Sequence, residues 1–161
     1  MDILTPKGQT TIADAEAAIQ IFLEAHPGFD FVPTPQHKPA VVDGMVTLKG
    51  GDIKAVVEMK CRYGITLEAF RLKFGNEWIL TMSKLIQAAA VSNTLRVPLY
   101  GFVYLVDDKA LMVKPLTDSL GQICVPFRCE KTTTRKTING GEANRANAYI
   151  SMDGCQVLCS H

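Results

Sequence analysis

The segment VVDGMVTLKGGDIKAVVEMK, residues 41–60, contains two β-rich runs with a glycine turn between them. Valine and isoleucine favour strands, whereas a run of Lys49, two glycines and Asp52 is typical of a hairpin turn. We therefore predict two antiparallel strands, at residues 41–48 and 53–61.

The turn also predicts which residues face each other. A hairpin closed symmetrically around Gly50 and Gly51 pairs residues that lie equally far from the turn. The expected pairs on one face are Val42 with Met59, Gly44 with Val57, Val46 with Ala55, and Leu48 with Ile53. Since none of these residues is polar, we expect this face to lie against the core.

The opposite face of the same hairpin carries charge. The register places Asp43 directly opposite Glu58, with Lys60 two residues further along the same side. Opposed side chains have Cβ atoms roughly 4.5–5.5 Å apart, so two carboxylates there repel each other unless a cation neutralises them. Mg²⁺ prefers carboxylate oxygens and keeps positions open for water or a substrate phosphate. The pattern therefore predicts a magnesium site for phosphodiester chemistry.

Asp43 followed by Glu58-Met59-Lys60 resembles the motif of the PD-(D/E)XK nuclease superfamily, which has the restriction-endonuclease-like fold. The predicted order of elements is also similar to that of the family. The resemblance implies an α/β three-layer sandwich with a mixed central sheet and an αβββαβ-type core. It further implies a Mg²⁺-dependent nuclease, for which Mn²⁺ would substitute, that hydrolyses DNA by metal-activated water.

The resemblance assigns a role to each residue of the motif. Asp43 and Glu58 would bind the metal together with the backbone carbonyl of Met59. Lys60 would orient or deprotonate the attacking water, or stabilise the developing negative charge. Many members of the family add an acidic residue from the first helix, and Glu16 is the candidate for a fourth catalytic and metal-binding residue.

The first helix is expected to begin after the Thr10-Thr11 cap and to end at residues 26–28, His-Pro-Gly. Glu16 shares a helical stripe with Ile12, Ile19 and Leu23, which predicts that it faces the sheet. An ordinary carboxylate on the helix surface is the alternative, because charged residues are usually exposed.

The remaining elements complete a single domain, residues 1–161, with a core at about residues 11–116 and a β-rich C-terminal extension at 117–161. Residues 29–40 contain three prolines and are expected to form a loop. Helices are expected at residues 67–74 and 77–93, the second with Trp78, Met82, Leu85 and Ala89 on one stripe. Strands are expected at residues 99–106 and 110–116, followed by short strands and a turn at residues 139–141.

Several polar residues are candidates for contacts with nucleic acid. They are Arg62 after the motif, Lys84 and Gln87 on the polar side of the predicted second long helix, and Arg128, Lys131, Arg135 and Lys136 in the threonine-rich C-terminal segment. Basic side chains at such places position the phosphate backbone. Solvated helices and strands also carry such residues without any function, so that alternative remains open.

The composition of the chain restricts how it could bind DNA or a metal. A net charge of +1 gives no overall attraction for DNA, so binding would depend on local basic patches or on the metal. The five cysteines do not have the spacing of a zinc site, and we expect reduced thiols in a cytoplasmic protein without a signal peptide or membrane span. A non-catalytic DNA-binding or protein-interaction module is the competing hypothesis. DNA against RNA, endonuclease against exonuclease, and monomer against homodimer remain open.

Overall fold

The computed structural model describes residues 6–35, 40–134 and 143–160. Within them the helices are α1 (Pro6–Ala25), α2 (Leu67–Leu72) and α3 (Met82–Leu95). The strands are β1 (Phe29–Pro33), β2 (Gly44–Leu48), β3 (Ile53–Arg62), β4 (Glu77–Thr81), β5 (Leu99–Leu105), β6 (Ala110–Pro115), β7 (Phe127–Thr134), β8 (Ala143–Ser151) and β9 (Gln156–Cys159). None of these helices is both long and apolar enough to cross a membrane.

A six-stranded mixed sheet, in the order β1-β2-β3-β5-β6-β9, forms the centre of the fold. Strands β3 and β5 run parallel and the other neighbours run antiparallel. Alternate residues of β3 face opposite layers: Val57 packs in a core cluster with Phe22 of α1, whereas Val56 packs in a cluster with Leu85 of α3. The sheet therefore has helix α1 on one face and α3 on the other, and the mixed α/β class is confirmed.

The hairpin has the predicted register over most of its length. The pairs Gly44 with Val57 and Val46 with Ala55 are confirmed. The expected pair of Leu48 with Ile53 is wrong, because the register shifts after Val46 and Thr47 pairs with Ile53 instead. Such a shift is a β-bulge, which inserts one residue into one strand and increases the local twist.

Strand β2 begins at Gly44 rather than at residue 41 because residues 41–43 form a bend. Val42 therefore packs in the same cluster as Val56, on the α3 side, and not opposite Met59. Gly44 is required at the start of the strand, since a Cβ there would overlap the ring of Phe31 on β1. The bend and the close approach of β1 together determine where Asp43 lies.

Residues 29–33 were expected to lie in a loop, and this expectation is wrong. They form strand β1, which pairs antiparallel with β2 at the edge of the large sheet. Phe29 and Phe31 pack against the α1 layer while the alternate Asp30 and Val32 are exposed. Pro33 ends the strand, where its missing N–H costs no hydrogen bond in the sheet.

The predicted helix at residues 77–93 is wrong in its first five residues. Glu77–Thr81 is strand β4, in which Trp78 and Leu80 are buried and Ile79 between them is exposed. This alternation has the period of a strand, and Trp78 does not share a helical stripe with Leu85. Helix α3 begins at Met82.

The segment after residue 116 contributes to both sheets. Strands β7 and β8 pair with each other, and β8 pairs with β4, to form a three-stranded antiparallel sheet. Strand β9 returns to the large sheet beside β6. The strands predicted at residues 99–106 and 110–116 are confirmed as β5 and β6, and the predicted turn at residues 139–141 lies outside the described residues.

Candidate functional site

Asp43 is fixed to strand β3 at the point where strand β2 begins. Its backbone N–H donates to the carbonyl of Val57 at 2.8 Å, and its Oδ2 accepts from the backbone N–H of Met59 at 2.7 Å. These two bonds place the carboxylate beside Glu58, which lies between Val57 and Met59. The structure thus brings together the two carboxylates that the hairpin register predicted to be neighbours.

Among the residues that the structure describes, Glu58 is the one buried charged residue, with 3% of its surface exposed. The expectation that this face of the hairpin points away from the core is wrong, because α3 packs over it. One oxygen, Oε1, lies 2.9 Å from Nζ of Lys84 on α3. The other, Oε2, has no hydrogen-bond partner in the described part of the chain. A buried carboxylate oxygen without a partner costs folding free energy.

The surroundings of Glu58 raise its pKa into the region of neutral pH. Burial disfavours the charged form, and the negative charge of Asp43 adds to this effect, so that the pKa of Glu58 rises from 4.5 to about 8. The hydrogen bond and the positive charge of Lys84 act in the opposite direction but are weaker. A carboxyl group with a strongly raised pKa beside a second carboxylate is typical of functional sites.

Lys84 also belongs to this site, which reasoning from the sequence did not predict. It was a candidate for contacts with nucleic acid, yet its Nζ contacts Glu58 and lies 3.8 Å from Oδ1 of Asp43. Burial lowers the pKa of Lys84, but the hydrogen bond and charge of Glu58 and the charge of Asp43 outweigh it and leave the pKa raised. Lys84 is therefore a cation held between the two carboxylates.

Lys60 does not complete the predicted group of three charges. It is exposed, and no ion pair joins it to either carboxylate among the described residues. It does line a cleft of about 480 Å³ whose wall includes Asp43 and Met59. The backbone N–H and C=O of a strand residue face the same neighbouring strand, so the Met59 carbonyl lies on the same edge as Asp43.

The expectation that Glu16 faces the sheet is wrong. Glu16 is exposed, and the buried residues of α1 between positions 10 and 25 are Ala18, Ile21 and Phe22. The small side chain of Ala18 lets this side of the helix approach the sheet, so the buried stripe does not pass through Glu16. Helix α1 also packs on the face of the sheet opposite to Glu58.

The other basic candidates lie in different surroundings. Arg62 is half-buried, and burial lowers its pKa. Gln87 and Lys131 are exposed. Arg128 pairs with Glu77 and Glu130 and lies 3.9 Å from the centre of the Tyr149 ring, so its charge is already neutralised and the expected contact with phosphate is not favoured. Arg135 and Lys136 lie outside the described residues.

The donor set at this site suits a cation that needs few protein ligands. No group of three or more His, Cys, Asp or Glu side chains that could hold a metal exists in residues 6–35, 40–134 and 143–160. Mg²⁺ is usually bound by one or two carboxylates together with waters and substrate phosphates. Asp43, the unpaired oxygen of Glu58 and the Met59 carbonyl therefore fit Mg²⁺ without a third acidic residue.

The site combines two adjacent carboxylates, a lysine between them and an open cleft at one side. Such an arrangement can hold a divalent cation, exchange a proton near neutral pH and bind an anionic group close to both. In comparisons with known proteins, no protein-family model, curated protein or solved structure matches this chain.

Proposed function

We propose that this protein is a Mg²⁺-dependent nuclease that hydrolyses phosphodiester bonds of DNA at Asp43 and Glu58. The observation that carries the proposal is the carboxylate of Glu58, which is 3% exposed, lies beside Asp43 and has an oxygen without a partner. Folding alone gives no reason to keep such a group in the core, because an apolar residue of similar volume would be more stable there. A cation bound between the two carboxylates would offset the cost.

The topology supports the restriction-endonuclease-like fold as part of this proposal. Helix α1 is followed by the antiparallel strands β1, β2 and β3, and after α2, β4 and α3 the chain returns in β5, parallel to β3. With α1 and α3 on opposite faces, this is the αβββαβ order expected for that fold. Strand β4 and its partners β7 and β8 are additions to this core.

Each residue of the site has a role in the proposed reaction. Asp43 and Glu58 would hold the cation, and the Met59 carbonyl would be a further ligand. Mg²⁺ would neutralise the charge that builds on the phosphate and lower the pKa of the attacking water. Lys60, at the wall of the cleft, binds the phosphate and stabilises its developing negative charge.

Lys84 has a separate role in this proposal. It neutralises Asp43 and Glu58 while no divalent cation is bound, which reduces the repulsion between them. A bound divalent cation would take over this neutralisation, and the ammonium group of Lys84 would then be free to contact the substrate phosphate. Lys84 would therefore stabilise the protein in the absence of the cation and assist the reaction once the cation is bound.

A non-catalytic DNA-binding or protein-interaction module of the same fold is the second candidate. The observation that favours it is the ion pair of Lys84 with Glu58 at 2.9 Å, because a fixed ammonium group can take the place of a metal ion permanently. The exposed position of Lys60, away from both carboxylates, is also compatible with a site that does not cleave. This candidate predicts that Mg²⁺ and Mn²⁺ do not bind.

The two candidates are separated by titrating the protein with Mg²⁺ and Mn²⁺ in a calorimeter and by assaying cleavage of linear, circular and branched DNA. The proposal expects binding and cleavage in the wild type, and loss of both in Glu58→Gln. Glu130→Gln is the matched control, since Glu130 is an exposed carboxylate on the small sheet. Absence of metal-dependent cleavage in the wild type, or equal cleavage by both variants, would refute the proposal.

A further inference from the structure

A cleft of about 480 Å³ opens beside Asp43, between helix α1 and the end of strand β3. We call it the α1 cleft. The described residues that line it include the charged Asp43 and Lys60, and an apolar and aromatic wall is formed by Ile19, Phe31, Pro33, Pro35 and Tyr63. The cleft therefore joins Asp43, one of the two carboxylates of the proposed site, to a surface of rings and aliphatic groups.

The wall of the α1 cleft has the chemistry of a stacking surface. Tyr63 is 48% exposed although it is a large aromatic residue, and Pro33 and Pro35, which also line the cleft, are exposed. The Tyr63 hydroxyl donates to Oδ2 of Asp14 on α1 at 2.7 Å, which fixes the ring at the wall. A ring held in place before binding loses little conformational entropy when a ligand stacks on it.

The volume and the aromatic wall of the α1 cleft fit an unpaired base better than a base pair. Its volume lies in the range of pockets that take small molecules, so it admits one nucleotide. In a duplex both faces of each base are covered by its neighbours, and only an unpaired base can present a face to Tyr63.

We propose that the α1 cleft receives an unpaired nucleobase next to the scissile phosphate, so that the substrate is single-stranded or frayed nucleic acid rather than continuous duplex. This inference rests on the proposed function of Asp43 and Glu58. The base stacks on Tyr63, and Lys60 binds the adjoining phosphate. The backbone is thereby directed toward the carboxylates, at the edge where Asp43 accepts from Met59.

The first test measures binding in Ca²⁺, by fluorescence anisotropy, of a labelled single-stranded DNA, a blunt duplex, and the same duplex with a single-stranded overhang. The wild type should bind the first and third about tenfold or more tightly than the blunt duplex. Tyr63→Ala should weaken single-strand binding about five- to thirtyfold, as for loss of one stacked base. Tyr63→Phe keeps the ring but loses the bond to Asp14, so it should weaken binding clearly less than Tyr63→Ala does.

Phe127→Ala is the matched control, because Phe127 is an exposed aromatic residue on the small sheet, 39% exposed. It should leave binding unchanged. If Tyr63→Ala lost its fold, a second measurement on the wild type would replace it: 2-aminopurine placed at successive positions of the strand should be quenched at one position on binding. Equal affinity for single strand and blunt duplex, equal losses in Tyr63→Ala and Tyr63→Phe, or quenching at no position would overturn the inference.

The cleavage assay separates this inference from the proposed function. Metal-dependent cleavage of blunt duplex without any preference for single strands would leave the nuclease in place and overturn the inference. The opposite result would be Tyr63-dependent binding of single strands without cleavage in the presence of any metal. It would refute the proposed nuclease activity but support the α1 cleft as a binding site for unpaired bases.

Discussion

Lys84 on α3 holds its Nζ 2.9 Å from Oε1 of Glu58 on β3, and this ion pair joins the helical layer to the strand that carries the candidate site. The carboxylate of Glu58 is almost fully buried, whereas about a third of the Lys84 side chain is exposed. Within the pair, Lys84 is therefore the member that solvent reaches more easily.

Glu58→Gln should raise the stability of the metal-free protein at neutral and higher pH. The pKa of Glu58 rises from 4.5 to about 8 on folding, so the folded state holds a proton that the unfolded state releases between these values. Stability of the wild type therefore falls as pH rises through this window. Melting temperatures from pH 4 to 9 should show a gap between variant and wild type that widens from about pH 5 to 8. A constant gap would contradict the raised pKa.

Lys84→Gln should have opposite effects on stability and on metal affinity. Without the ammonium group, Glu58 and Asp43 repel each other uncompensated, and we expect a loss of about 1–3 kcal/mol at pH 8. The loss should be smaller at pH 5, where Glu58 is protonated. Calorimetric titration should show tighter Mg²⁺ binding, because the competing cation is gone. Weaker binding would identify Lys84 as a support for the metal site rather than a competitor.

Two substitutions of Asp43 separate its charge from its hydrogen bond. Asp43→Asn removes the repulsion with Glu58 but keeps an acceptor for the Met59 N–H, so the metal-free melting temperature should rise while Mg²⁺ affinity falls. Asp43→Ala loses the acceptor as well and should cost about 1 kcal/mol or more relative to the asparagine variant. Chemical denaturation measures both. An asparagine variant that melts below the wild type would show that the charge itself is structural.

Lys60→Ala should reduce cleavage without changing stability. Its side chain is exposed and has no ion pair among the described residues, so its removal should alter the free energy of unfolding by less than about 0.5 kcal/mol. Loss of a group that stabilises developing charge should lower the rate about 100-fold or more. Single-turnover cleavage with a parallel thermal melt measures both effects. A rate near that of the wild type would remove Lys60 from the site.

Glu16→Gln should leave both stability and cleavage unchanged. Glu16 is exposed on α1, which covers the face of the sheet opposite to Glu58. We expect changes below about 0.5 kcal/mol in the free energy of unfolding and no shift in the Mg²⁺ dependence of the rate. Single-turnover rates across a Mg²⁺ series provide the measurement. A tenfold loss of rate would return Glu16 to the site in spite of its exposure.

The sequence by itself determined the features that depend on neighbours in the chain. The glycine turn was enough to predict a hairpin, and its expected register is observed from Gly44 to Val46, beyond a one-residue shift. The bend at residues 41–43 then keeps Asp43 beside Glu58. Strands β5 and β6 were predictable because they are short, almost wholly apolar runs separated by a polar turn. In each case the deciding interactions span few residues.

Only the tertiary structure decided the features that depend on distant partners. Residues Glu77–Thr81 pair with β8, about 70 residues further along, and this pairing overrides the helical stripe that their sequence suggests. Whether Glu58 faces solvent or core depends on which layer covers β3, and the period of a strand cannot decide this when both faces are covered. The position of Lys84 was unpredictable for the same reason. Helix α3 lies over Glu58 because buried side chains such as Leu85 and Val56 pack together. The residues next to Lys84 and Glu58 in the sequence give no sign of this contact.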